Sequence, residues 1–332
     1  MRNKLFIWLF SLVALSASAQ NGDEAFSFLR FPFSARANAL GGHTAALVER
    51  DPSLIYHNPA LLGAEMDGMI NLNYMNYISD VNLGSALFTK AAGERAAWGV
   101  GAAFISYGNI KEVLPENVVL GDLAAKDISV SGFYARDLNE RWRGGLSMKF
   151  LYSAFADFSS IGLCFDAGLS YYNSEKGFSA ALTLKNIGAQ LKAYNDDRQK
   201  MPWDIQLGLT KKMNHAPIRL SLTALYLNRW DFDYIDETAT EVKKDSFFKT
   251  FFKHFVIGVD YVPSDNFWVG IGFNPKTHAD MKLQGANALS GFSAGAGVKI
   301  KMFDVGASVA KYHPSALSLM VSISTTLADF KP

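Results

Sequence analysis

Residues 142–152 read WRGGLSMKFLY. Trp142, Leu146, Met148, Phe150 and Tyr152 share one parity, and Arg143, Ser147 and Lys149 take the other. A period of two sends successive side chains to opposite faces of a strand. One face of this strand is therefore mainly apolar and the other polar.

The pattern recurs along the chain. Trp203, Ile205, Leu207 and Leu209 oppose Asp204, Gln206 and Thr210. Ile218, Leu220, Leu222, Ala224 and Tyr226 oppose Arg219, Ser221 and Thr223. Leu317, Leu319, Val321 and Ile323 oppose Ser318, Ser322 and Ser324. With the weaker alternations, strands are expected at 69–77, 82–90, 95–107, 127–138, 141–154, 158–172, 177–187, 202–213, 217–230, 250–263, 266–274, 289–301, 303–313 and 316–327. About fourteen is an even number, as single-chain membrane barrels have. Most of these runs reach the roughly 9–11 residues that a spanning strand needs. Strands of soluble proteins usually stop at about 5–6.

The connections alternate in length. Tight turns follow the even strands, as at Ala92-Gly93-Glu94, Asn139-Glu140 and Ser264-Asp265. Four long connections, 108–126, 188–201, 231–249 and 275–288, follow odd ones. Short turns on one side and long loops on the other mark an outer-membrane barrel, with the short turns periplasmic. The expected fold is all-β, a transmembrane antiparallel β-barrel over residues 67–328.

Composition agrees with this. Lys and Arg number 32 against 31 Asp and Glu, so there is no basic excess to meet nucleic acid. The 25 Phe and 13 Tyr suit twisted sheet and interfacial girdles. Residues 1–19 read as a secretory signal peptide, with Arg2 and Lys4, an apolar core from Leu5 to Leu15, and Ala17-Ser18-Ala19 before the cleavage point. That implies export through the Sec pathway. The single cysteine, Cys164, excludes an internal disulfide.

Before the first strand lies Phe33–Leu62, FSARANALGGHTAALVERDPSLIYHNPALL. It is rich in Ala and Leu but interrupted by Gly41-Gly42, Asp51-Pro52 and Asn58-Pro59. Each glycine costs a helix about 1 kcal/mol against alanine, so short helical pieces are expected rather than one long helix. Asp51 and Ser53 can cap a following turn, and Pro52 suits a first helical position. Asn58 precedes proline and is pushed out of the helical region. Residues 20–66 are read as a plug that folds back inside the barrel. There Arg36 would pair with a lumen carboxylate, because an unpaired buried charge is costly. His43 and His57 would be satisfied interior groups, bonded near Arg143 or the neighbours of Lys149.

Ser34-Ala35-Arg36, Ala39-Leu40-Gly41-Gly42, Asp51-Pro52-Ser53-Leu54 and Asn58-Pro59-Ala60-Leu61-Leu62 resemble the N-terminal signature of the PorV/PorQ family, outer-membrane components of the type IX secretion system. The likeness continues through Asn71–Tyr77, Lys185-Asn186-Ile187-Gly188, Trp203–Leu209 and Asn228-Arg229-Trp230-Asp231. The family is in turn similar to the FadL group of long-chain fatty-acid transporters, whose Asn-Pro-Ala lies in a hatch filling the barrel. The resemblance implies a FadL-like barrel in a Gram-negative outer membrane, in contact with its lipid. It implies a structural plug motif of Ser34, Ala35, Arg36, Leu40, Gly41, Gly42, Asp51, Pro52, Asn58, Pro59 and Ala60. It also implies a non-enzymatic role, holding a PorZ-like surface protein in an assembly with PorU and PorV. Secreted cargo is there attached to the surface, and PorU carries the sortase chemistry. The four long loops would be the contact surface. The alternative is a FadL-like transporter of long-chain fatty acids or other hydrophobic molecules. A continuous apolar pocket of several hundred Å³ under the plug would favour it.

Nothing else in the sequence announces chemistry. No two of the 6 histidines stand at zinc-ligand spacing. Gly291-Phe292-Ser293-Ala294-Gly295 has the spelling of a nucleophile elbow but lies in a strand, which the motif does not allow. Asp231, Asp233, Asp236 and Glu237 do not match a calcium loop. No cofactor or metal is expected. The loop end Phe247-Phe248 with Phe251-Phe252 reads either as a short amphipathic turn on the membrane surface or as the start of the next strand.

Overall fold

The computed structural model describes residues 24–113, 119–195, 198–232, 246–281, 289–313 and 315–330. The expected signal peptide lies outside them. Strands β1–β14 cover Met69–Ile78, Val81–Ala91, Ala96–Val113, Val119–Asp137, Trp142–Phe155, Phe158–Asn173, Phe178–Lys192, Asp204–Lys212, Ile218–Ala224, Phe255–Ser264, Phe267–Phe273, Phe292–Ile300, Phe303–His313 and Ala316–Thr326. They pair in chain order and close into one antiparallel barrel. The closing seam joins β1 to β14, from Met69 opposite Thr326 to Asn76 opposite Leu319. Side chains reinforce it. The Asn71 amide donates to the Ser324 hydroxyl at 2.9 Å, and the Ser322 hydroxyl donates to Asn73.

The alternation read from WRGGLSMKFLY is the alternation of the wall. Leu146 and Met148 are 61% and 53% exposed, whereas Ser147 and Lys149 are each 4% exposed. Leu317, Leu319, Val321 and Ile323 likewise face out, and Ser318, Ser322 and Ser324 face in. Trp98, Tyr134, Trp142, Tyr172, Phe267 and Phe303 lie on the outer surface towards the end of the short turns. An apolar exterior, an interior of polar groups interspersed with apolar ones, and no free edge suit immersion in hydrocarbon, where unpaired backbone groups find no partner.

Four expectations about the connections are corrected. Residues 108–126 are not a long loop. β3 and β4 run to 18 and 19 residues and keep pairing from Asn109 opposite Ala124 to Glu112 opposite Gly121. Beyond the apolar belt a strand no longer faces lipid. Its sequence loses alternation while the backbone ladder persists. For the same reason β7 continues to Lys192 rather than stopping at 187.

β9 is shorter than expected, 7 residues ending at Ala224. Asp204 accepts the Tyr226 N–H at 2.6 Å, and Tyr226 takes φ 57, which turns the chain out of the sheet. The expected strand start at 250 is instead helix α2, Phe247–Lys253. A further short helix, α3, covers Pro275–Asp280 and is capped by Asn274. Numbering starts from α1, Ala35–Ala39, inside the lumen.

Replacing Met148 by Arg on the lipid face is expected to destabilise the barrel by about 2–4 kcal/mol. Denaturant unfolding of the protein in lipid vesicles measures this. Met148→Leu should leave the midpoint within error.

Candidate functional site

The lumen is filled by the segment that precedes β1. Ser34 caps α1 by accepting the Ala37 N–H at 3.2 Å. The helix then ends at Leu40, where Gly41 and Gly42 take φ 96 and 90. Only glycine adopts that conformation cheaply. Gly42 N–H closes the turn on the Ala37 carbonyl at 2.9 Å. Asp51 caps a 3₁₀ turn over Pro52–Tyr56, with proline at its start. Ser53 does not cap; its hydroxyl donates to the Asp51 carboxylate at 2.6 Å. Asn58 caps a second 3₁₀ turn, Pro59–Leu61, through Ala60 N–H at 2.9 Å. Its amide donates to the Ala45 carbonyl at 2.7 Å, tying the two halves of the segment together.

Wall and segment fit through hydroxyls and missing side chains. Ser322 accepts Ala35 N–H at 3.0 Å, and Asn38 donates to Ser308 at 2.9 Å. Ser293, spelled like a nucleophile, accepts Gly41 N–H at 2.9 Å and donates to the Ala39 carbonyl at 3.0 Å. Its hydroxyl is committed to holding α1. Asn58-Pro59-Ala60 lies against Gly145 of β5 and Gly168 of β6. A Cβ at either glycine would collide with Pro59, Ala60 or the Asn58 carboxamide.

The charged part of the site is a closed quartet. Arg36, 1% exposed, donates to Asp260 at 2.5 Å and to Glu49 at 3.1 Å. Arg219 donates to Asp260 at 2.6 Å and to Glu49 at 2.7 Å. Arg36 and Glu49 come from the segment, Arg219 and Asp260 from β9 and β10. Two positive and two negative groups cancel. The Arg36 guanidinium also stands 4.0 Å over the Trp268 ring, a cation–π contact.

His43 and His57 meet edge to face with centroids 6.2 Å apart. Burial, with the Lys185 ammonium nearby, pushes His43 down to about 3 and His57 well below the ordinary histidine range. Both are neutral at pH 7. Contrary to expectation, Arg143 is not their partner. It pairs with Asp137 at 2.6 Å and Glu65 at 2.9 Å near the short turns. Lys149 pairs with Asp166 at 2.6 Å and donates to Asn186 at 2.8 Å. Beside the histidines, among the described residues, is a cavity of about 30 Å³ lined by Leu29, Phe31 and Phe33 as well as Lys149, Lys185 and Asp204. That is room for one or two waters. A drug-sized ligand needs at least about 300 Å³.

All eleven residues of the motif lie in this segment. The sequence does not single out Glu49, Asp260 or the two wall glycines; it shows Arg219 and Ser322 only as the polar parity of their strands, and Ser293 only as a misplaced nucleophile spelling. A charge on the lumen parity of a strand, as at Arg219, is the signal that finds two of them. Among the described residues no cluster of three or more metal-ligating side chains forms. Of the acidic residues in the 231–237 stretch, Asp233, Asp236 and Glu237 lie outside the described residues.

No family model and no curated protein sequence matches the chain. Solved structures do. The toluene transporter TodX of P. putida superposes with a TM-score of 0.56 at 10% identity, covering 90% of this chain and 99% of that one. A FadL homologue of Pseudomonas aeruginosa gives 0.51 at 12% identity, covering 88% and 97%. At these identities the likeness is one of fold, a FadL-like barrel.

Asp260→Asn leaves Arg36 buried with only half its compensation. The expected cost to plug docking is about 3–5 kcal/mol. Limited proteolysis should then cut within 33–62 in the folded barrel, while the heat-dependent gel shift of the closed wall stays unchanged.

Proposed function

We propose that this chain is a non-enzymatic outer-membrane barrel of the PorQ kind, which holds a surface partner in type IX secretion. The observation that carries the reading is the filled lumen. Phe33–Leu62 is packed, hydrogen-bonded and charge-neutralised inside the wall. The cavity beside the histidines, about 30 Å³ and lined by both polar and apolar groups, is far below ligand size. A wall stoppered in this way is built to stay in place rather than to conduct.

The likeness of the plug motif and of the segments outside it to the PorV/PorQ family supports the specific role. The partner on this reading is a PorZ-like protein, with PorU and PorV in the same assembly. The loop end of the barrel supplies the contact surface. There the β3–β4 ribbon and α3 stand beyond the apolar belt. Ser293 supports the non-enzymatic reading, since both its hydrogen-bonding roles are spent on α1.

The solved structures favour a second reading, a FadL-like conduit for hydrophobic molecules. One of the similar proteins is a toluene transporter and another is a FadL homologue. On this reading the plug must rearrange before anything passes. The cavity beside the histidines, at about 30 Å³, is about one-tenth of the smallest usual ligand volume.

Extraction of tagged protein from outer membranes in mild detergent separates the two. The expected result is co-purification of a large secreted surface protein of the PorZ type, identified by mass spectrometry. Recovery of the barrel alone, carrying fatty acid or an aromatic hydrocarbon at stoichiometric amount, would replace the first reading with the second.

A further inference from the structure

Helix α2 reads FFKTFFK. At about 100° per residue, its four phenylalanines fall within an arc of about 140°, and Lys249, Thr250 and Lys253 fill the opposite side. Phe247, Phe248 and Phe252 are 67%, 72% and 60% exposed. Such a sequence, aromatic on one face and cationic on the other, is suited to lie in a membrane interface.

Its place in the fold says which surface it meets. Lys253 is followed by His254 and then by Phe255, the first residue of β10. The Phe251 ring stands 4.9 Å from the Phe255 ring. Phe255 shares its parity with Ile257 and Tyr261, which are exposed on the outer face of the wall. The aromatic face of α2 therefore continues the lipid-facing row of β10 without a break. His254, buried, meets the Leu225 carbonyl at 2.7 Å and fixes the helix to the rim. Trp230, itself half exposed, stacks on Phe247 with centroids 6.3 Å apart and extends the same surface.

We propose that α2 is a foot resting in the outer leaflet beside the barrel. Its phenylalanines enter the acyl boundary, and Lys249 and Lys253 sit at the level of anionic headgroup phosphates. The inference rests on the wall being lipid-immersed and needs no secretion partner. It fails independently of either function proposed above.

The test uses the full chain with Cys164→Ala and a spin label at Phe248→Cys. Labels at Leu319→Cys and Glu140→Cys serve as lipid and water references. The protein is placed in nanodiscs of phosphatidylcholine, alone or mixed equally with phosphatidylglycerol. Oxygen collision at position 248 should match that at 319, and nickel-chelate collision should be severalfold below that at 140. Joint Lys249→Glu and Lys253→Glu should raise nickel access at 248 severalfold in the mixed lipid and leave it unchanged in phosphatidylcholine. Nickel access at 248 equal to that at 140 in both lipids overturns the proposal. So does protection that arises only when a surface protein is added, and so does insensitivity of the mixed-lipid signal to the lysine reversals. Phe247, Phe251 and Phe252 changed together to Ser should expose the label while the heat-dependent gel shift persists. Continued protection of the label in that folded variant also overturns it.

Discussion

A strand in hydrocarbon can place its backbone N–H and C=O groups only on another strand. Here that constraint is met by joining β1 to β14, and the rest of the architecture follows from it. Closure makes an inside. The outward parity must be apolar, while the inward parity mixes Ser, Thr, Asn and a few charges with apolar residues such as Leu87, Ile105, Phe133 and Leu151 that cluster with Phe28, Phe33 and Ile55 of the plug. A ring of inward polar groups needs partners of its own. Phe33–Leu62 supplies them, with backbone N–H groups on Ser293 and Ser322 and a carboxamide on Ser308. Where the segment comes closest, the wall gives up its side chains at Gly145 and Gly168.

The quartet of Arg36, Glu49, Arg219 and Asp260 adds register to this fit. A buried ion pair contributes little net stability, because desolvation offsets most of the attraction. Its weight lies in the penalty for misplacement. Shifted by a few ångströms, the segment would break Arg36–Asp260 and Arg219–Glu49 and leave each buried charge with half its compensation. The hydroxyl contacts tolerate many arrangements and the charge contacts tolerate few. Together they define one seating of α1 against β9–β14.

The wall was legible in the sequence because lipid on one side and polar groups on the other impose a period of two. All fourteen strands were foreseen, most with ends within a few residues. The errors lie where that contrast fades. Above the belt, water bathes both faces, so the extension of β3 and β4 carried no signal. β9 ends early because of one side chain, Asp204, capturing the Tyr226 N–H, and periodicity does not register such a contact. Within the lumen, Asp51-Pro52 and Asn58-Pro59 announced their turns through local chemistry. The partners of Arg36 were not announced, since Asp260 lies 224 residues away in the chain. His57 was expected to be bonded to lumen charges. It instead sits beside His43, and among the described residues its Nε2 meets no hydrogen-bond partner. The sequence carries residue types, and a distance between β10 and the plug is a property of closure.

The position of the stopper in the chain has a consequence for biogenesis. Residues 24–66 precede every strand, yet they end up enclosed, reaching from Lys200 at the loop end to Glu65 near the short turns. Seated afterwards, they would have to pass lengthwise into a closed wall and find each of these contacts inside it. A wall that forms around the segment, with the junction of first and last ribbons as the final stitch, avoids that search. The polar ladder of Asn71, Asn73, Ser322 and Ser324 runs along that stitch, and Ser322 also grips Ala35. Correct loading of the cargo and fastening of the door thus share one set of bonds, so an unloaded cylinder lacks part of what shuts it.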